Sequence, residues 1–137
     1  MKKLSILMLL CLGFVFLLAA CTSSQGANPE EVVNGFLEAF MADDLDRAMS
    51  YFADDAVFNA VNAQHESRGK EDVRDHIEFL MSQVIDMETR NFSLDGNQVT
   101  WEASLERTST PTDLSFLAII EAGKITYLET NRIANDD

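Results

Sequence analysis

Two hydrophobic periods divide the chain. Val33, Phe36, Leu37, Phe40 and Met41 fall on one face of a helix. Asn28-Pro29-Glu30-Glu31 supplies its start: an N-cap asparagine, a proline in the first turn, and Glu31 placed for a capping box. Ala42-Asp43-Asp44 ends that helix and caps the next, where Leu45, Ala48, Met49 and Phe52 form a short second stripe. DDAVFNAV (54–61) turns into a strand, and NAQHESRGK (62–70) reads as a loop. Val73, Ile77, Leu80, Met81 and Val84 form a third helical stripe. After Ile85 the period becomes two. METRNFSL (87–94) and QVTWEASLER (98–107) flank the hairpin signal DGN (95–97). Val99, Trp101, Ala103 and Leu105 alternate with Thr100, Glu102, Ser104 and Glu106, so this strand has one buried and one wet face. LSFLAIIE (114–121) is a more buried strand, and AGK (122–124) turns it into ITYLETNRI (125–133). The order is helix, helix, strand, helix, then four strands. It predicts an α+β domain with helices packed on one face of an antiparallel sheet.

The first twenty residues follow neither period. Lys2 and Lys3 precede an almost wholly apolar stretch, and no acidic residue appears before Glu30. This is the layout of a secretory signal peptide. Its length is also close to that of a bilayer span, but it ends in Leu18-Ala19-Ala20-Cys21. Small residues leading into a cysteine resemble the bacterial lipobox, which implies a lipid on the Cys21 sulfur and cleavage just before it. The expected organisation is a signal peptide over 1–20, a lipidated cysteine and polar linker over 21–28, and one domain over 29–134. The expected location is the cell envelope, outside the cytoplasm, anchored to the membrane through Cys21. Cys11 would leave with the signal, so the domain would carry no free thiol, disulfide or cysteine metal ligand.

Charge narrows the partners. Lys2 and Lys3 are two of the ten basic residues; eight remain against 23 acidic ones, a net charge of −15 after cleavage. No basic stripe exists to neutralise phosphates, so nucleic acid is not an expected partner. The balance also disfavours lying flat on an anionic leaflet. The chain from Cys21 onward is long enough for one core and too short for two.

FLEAFMADDLDRAMSYFADDAVF (36–58), SRGKEDVRDHI (67–77) and GKITYLE (123–129), in that order and spacing, resemble the SnoaL-like branch of the nuclear transport factor 2-like superfamily. The resemblance covers about 29–133. It implies a cone, in which a bent antiparallel sheet wraps around helices and encloses a pocket, and a homodimer through the outer sheet face. Members include isomerases, cyclases, dehydratases, hydrolases and non-catalytic binding modules, so the fold leaves function open. The steroid-isomerase members use a carboxylate base, a tyrosine hydroxyl and a protonated carboxylic acid. The resemblance carries these positions onto Ala60, Phe36 and the neighbourhood of Phe116, with Asp113 the nearest acid. Alanine and phenylalanine cannot move protons, so that chemistry is not expected.

Other candidates are sparse. The paired Asp54 and Asp55 suit a turn out of the second helix, where short acidic side chains bond locally to the backbone. His65 would be a base near neutral pH if it faced the pocket, with Glu102 or Asp113 as its acidic partner. Asp72 and His76 sit four apart on the third helix, the spacing of half a metal site or of an ordinary surface pair. No serine elbow, phosphate loop or zinc motif occurs, and no cofactor or metal is implied. The expected pocket is apolar: Phe36, Phe40, Phe58, Ala60, Met81, Trp101 and Phe116, with Tyr127, Glu129 and Asn131 added if the last strand turns that face inward. The leading expectation is a tethered domain that binds a small apolar ligand or a protein partner without a recognisable catalytic set. The alternatives are a small-molecule enzyme, such as a cyclase, dehydratase or hydrolase, and a structural dimerisation module.

Overall fold

The computed structural model describes residues 26–134. The signal segment, Cys21 and most of the linker lie outside the described residues. Helix α1 (Pro29–Met41) starts where the sequence places it, and the Asn28 side chain accepts a hydrogen bond from the Glu30 N–H at 3.2 Å. After the Ala42–Asp44 break, Asp44 caps α2 (Leu45–Ser50) by accepting from the Arg47 N–H at 3.0 Å. Strand β1 (Phe52–Ala60) follows directly, then a single 3-10 turn (Val61–Ala63), β2 (His65–Arg68), α3 (Lys70–Gln83), β3 (Val84–Asp95), β4 (Gln98–Arg107), β5 (Thr112–Glu121) and β6 (Lys124–Arg132). Among the described residues, no helix is long and apolar enough to cross a membrane.

The strands form one sheet in the order β2-β1-β6-β5-β4-β3. Two features depart from the sequence reading. Residues 65–68 are a strand, not a loop, because they pair antiparallel with β1, with His65 opposite Ala60 and Ser67 opposite Phe58. The sheet is also mixed rather than antiparallel, since β6 runs parallel to β1 and antiparallel to β5. Asp54 and Asp55 differ in detail too. They lie within β1, at an irregularity between Phe52 and Val57, with both side chains exposed.

Alternation then sorts the side chains. On the concave face stand Phe58 and Ala60; Val99, Trp101, Ala103 and Leu105; Phe116 and Ala118; Leu128 and Thr130. Helices α1 and α3 cover that face through Val32, Val33, Phe36, Val73 and Ile77, all buried. Trp101 is sandwiched between Phe92 and Phe116, with ring centroids 6.0 and 5.0 Å away and planes nearly parallel. A bulge between Arg90 and Ser93, with Asn91 at φ 57°, curls β3 at that point. Two-residue turns close the β3–β4 and β5–β6 hairpins. In the β5–β6 turn, Ala122 and Gly123 both have positive φ, the geometry that matches strand twist.

Candidate functional site

The core fills the cone unevenly. At the end where β6 begins, α2 and the start of α1 pack tightly on Phe52, Val99 and Ile125. At the other end, α1, α3 and the sheet enclose a cavity of about 350 Å³. Its walls are Phe36, Leu37 and Phe40 of α1, His76, Ile77, Phe79 and Leu80 of α3, and Phe58, Leu105, Phe116 and Leu128 of the sheet. Phe79, 57% exposed, stands at the rim beside Asn62 and Ala63 of the 3-10 turn. Such a space is of the size and lining of a small-molecule pocket.

Five residues expected to meet there do so: Phe36, Phe40, Phe58, Ala60 and Phe116. Two do not. Trp101 is core, 1% exposed, because the largest ring is consumed by stacking in the filled part of the cone. Met81 turns away from the cavity, toward a shallow surface depression with Met41 and Ile85. Ala60, Phe36 and Phe116, at or near which the resemblance carries the proton-transfer positions of the steroid-isomerase members, all line this one cavity.

The acidic candidates are on the wrong side of the sheet. Glu102 and Asp113 follow the outward phase of β4 and β5 and form a network with Arg90 on the convex face. Arg90 Nε donates to Glu102 at 3.2 Å, Arg90 Nη1 to Ser104 Oγ at 2.5 Å, and Ser104 Oγ to Asp113 at 2.5 Å. His65 follows the inward phase with Ala60, so it forms no acid/base pair with either. Tyr127, Glu129 and Asn131 also face outward. Tyr127 Oη donates to Glu129 at 2.5 Å, and that contact with the carboxylate holds the phenol above its ordinary pKa, aided by burial.

The strand at 65–68 changes the meaning of His65. Its ring stacks on His76 of α3 at 4.9 Å, and its Nε2 lies 3.2 Å from Ser67 Oγ. His76, half-buried, lines the cavity and rests on Phe58 at 4.3 Å. Burial lowers the His76 pKa below its usual value, and the neighbouring His65 lowers it further. At neutral pH the imidazole is therefore uncharged and able to donate or accept one hydrogen bond. Asp72 is exposed on α3, and no group of three or more His, Cys, Asp or Glu side chains gathers as a metal set among the described residues.

The sequence reading missed the polar part of the lining: His76, Thr112, Thr130, Arg107 and Arg132. One signal was present. Arg107 continues the inward phase Val99-Trp101-Ala103-Leu105 by one more step.

The profile of the SnoaL-like domain matches residues 33–128. The chain belongs to the SnoaL-like family. Solved structures agree on the fold. An NTF2-like protein of unknown function from Burkholderia xenovorans superposes with a TM-score of 0.71 at 17% identity, covering 80% of this chain and 85% of that one. A protein named as a candidate polyketide cyclase, from Sinorhizobium meliloti, gives 0.67 at 21% identity, covering 74% and 94%. TerC, crystallised with polyporic acid, gives 0.67 at 15% identity, covering 77% and 91%. No curated protein matches the chain. At these identities the likeness is one of fold, and the SnoaL-like fold serves many chemistries.

Proposed function

We propose that this SnoaL-like domain holds a small, mainly apolar molecule between its helices and sheet, and does so outside the cytoplasm, tethered to a membrane through lipid on Cys21. The observation that carries the binding reading is the cavity itself, about 350 Å³ and walled chiefly by aromatic and aliphatic side chains. The binding role is favoured over an isomerase-type reaction because the matching positions are Ala60, Phe36 and Phe116. The Leu18–Cys21 sequence supports the tether. A second copy would pack on the convex face, where Leu117 and Ile119 stand half-buried.

A catalytic reading keeps one specific support, the uncharged His76 against the cavity wall. The candidate polyketide cyclase shares only the fold, which makes a small-molecule reaction a coherent second reading.

Native mass spectrometry on protein purified without detergent from a bacterial host tests the binding reading. A discrete added mass that is lost on denaturation supports an occupied cavity, and its identity names the ligand class. A clean apo mass that persists after incubation with bacterial lipid extract counts against it. Incorporation of an alkyne-tagged fatty acid that disappears in Cys21→Ser tests the tether.

A further inference from the structure

Charge is distributed unequally between the cavity and the rest of the surface. Acidic residues outnumber basic ones by 23 to ten, yet no aspartate or glutamate lines the cavity, and two arginines do. Elsewhere among the described residues the cations are partnered. Arg47 pairs with Glu38, Arg68 with Glu66, Lys70 with Asp54, Arg74 with Asp46, and Arg90 with both Glu102 and Asp113. Lys124 Nζ donates to the Ser50 carbonyl at 2.5 Å. Arg107 and Arg132 have no carboxylate partner among the described residues, and they are the two that face the cavity.

Arg107 goes further. Its Nε is buried and has no hydrogen-bond partner. A buried donor of a charged group left unmade is costly, and native proteins rarely tolerate one without reason. The other orphan, the Trp101 indole N–H, belongs to a neutral ring outside the cavity lining. Both arginines stand at one end of the sheet. Arg107 closes β4 opposite Val84, Arg132 closes β6 opposite Leu114, and Thr112, whose hydroxyl donates to the Thr110 carbonyl at 3.1 Å, opens β5 between those two strands. The Thr108 N–H donates to the Gln83 carbonyl at 3.1 Å, tying the β4–β5 connection to the end of α3. The opposite wall is phenylalanine and leucine. The cavity therefore has an apolar body and one cationic, hydrogen-bond-donating end.

We infer that the ligand is an amphipathic organic anion, its apolar body among Phe36, Phe40, Phe58 and Leu80 and its carboxylate-like head on the Arg107 guanidinium. This rests on the binding reading above and specifies its ligand class. A planar guanidinium matches a carboxylate with two parallel N–H···O bonds, and Nε is one of the donors of that fork. A neutral apolar molecule would leave the guanidinium desolvated and unpaired. Arg132, more exposed, adds attraction at the same end.

A matched pair of probes separates the inference from its foundation. 2-Naphthylacetate and 2-naphthylacetamide have nearly the same shape and differ in charge. Each is titrated calorimetrically, at two salt concentrations, into the purified full chain in lipid nanodiscs, with empty nanodiscs as the blank. The expected result is at least about tenfold tighter binding of the acid. That preference should vanish in Arg107→Gln and shrink only partly in Arg132→Gln. Equal binding of acid and amide by the parent protein overturns the inference and leaves an apolar pocket standing. Binding of neither probe removes both. The parent comparison needs no variant, so a poorly folding Arg107→Gln would not spare the proposal.

Discussion

The two faces of β4 and β5 solve the same electrostatic problem in opposite ways. On the convex face, Arg90 meets Glu102 and Asp113, and Ser104 and Asn91 complete the network; the cation there has its counter-charges within the protein. On the concave face, three residues beyond Ser104 on the same strand, Arg107 enters an apolar wall with no carboxylate in reach. Water screens the first arrangement and makes it cheap to lose. Little water reaches the second, and its charge stays uncompensated until something else supplies the partner. The contrast separates charge used for solubility and register from charge held for another molecule.

The comparison is open to attack at four points, in decreasing order of expected effect. Trp101→Ala removes the ring that Phe92 and Phe116 enclose and should cost about 3–5 kcal/mol in a denaturant titration, as for a large aromatic deleted from a core. Ala60→Phe places a ring inside the cavity instead. Stability should stay within about 1 kcal/mol of the parent if the space is empty enough to accept it, while naphthylacetate affinity falls at least tenfold. A large stability loss in that variant would mean that the space is smaller than the structure gives.

The third concerns His76. Its pKa is lowered in the folded protein by burial and then by His65, so the unfolded chain binds the proton more readily. Stability is therefore fully present above the unfolded value of about 6.5 and declines as pH falls below it. Urea midpoints at pH 7.5 and pH 5 should show that decline, His76→Phe should flatten it, and His65→Gln should lessen it slightly. An unchanged slope in His76→Phe assigns the acid sensitivity to other groups. Last and smallest, Arg90→Met should cost no more than about 1 kcal/mol, less at high salt, and leave probe binding unchanged. A loss of binding there would join the two faces and dissolve the distinction.

Much of this was legible in the residues. The alternation Val99-Trp101-Ala103-Leu105 predicted its own burial, and Asn28 and Asp44 cap the helices they precede. The misreadings share a physical cause, which is long-range pairing. His65-Glu66-Ser67-Arg68 has no apolar alternation, and it is a strand only because β1 lies beside it. The parallel match of Phe58 with Leu128 joins residues too far apart in sequence for any local pattern to reveal. Trp101 was expected in the pocket from its inward phase, but that phase also runs through the filled part of the cone, where the ring stacks on Phe116. Arg107 was visible as the inward step after Leu105, yet a lone arginine at a strand end is usually solvent-facing, and only its buried Nε marks it out.

The position of β6 bears on how the chain reaches its place of work. The last strand of the described domain lies in the middle of the sheet, with β1 on one side and β5 on the other. Within the sheet, neither the β1–β2 pair nor the β3–β5 meander can join the other until residues 124–132 are available. Closure then requires contacts across most of the sequence, a topology that folds slowly. A polypeptide synthesised from its N-terminus therefore stays an open thread almost to the end. The strand that completes the cone also postpones it, and a chain exported as proposed above would cross a membrane before it acquired a shape too wide to pass.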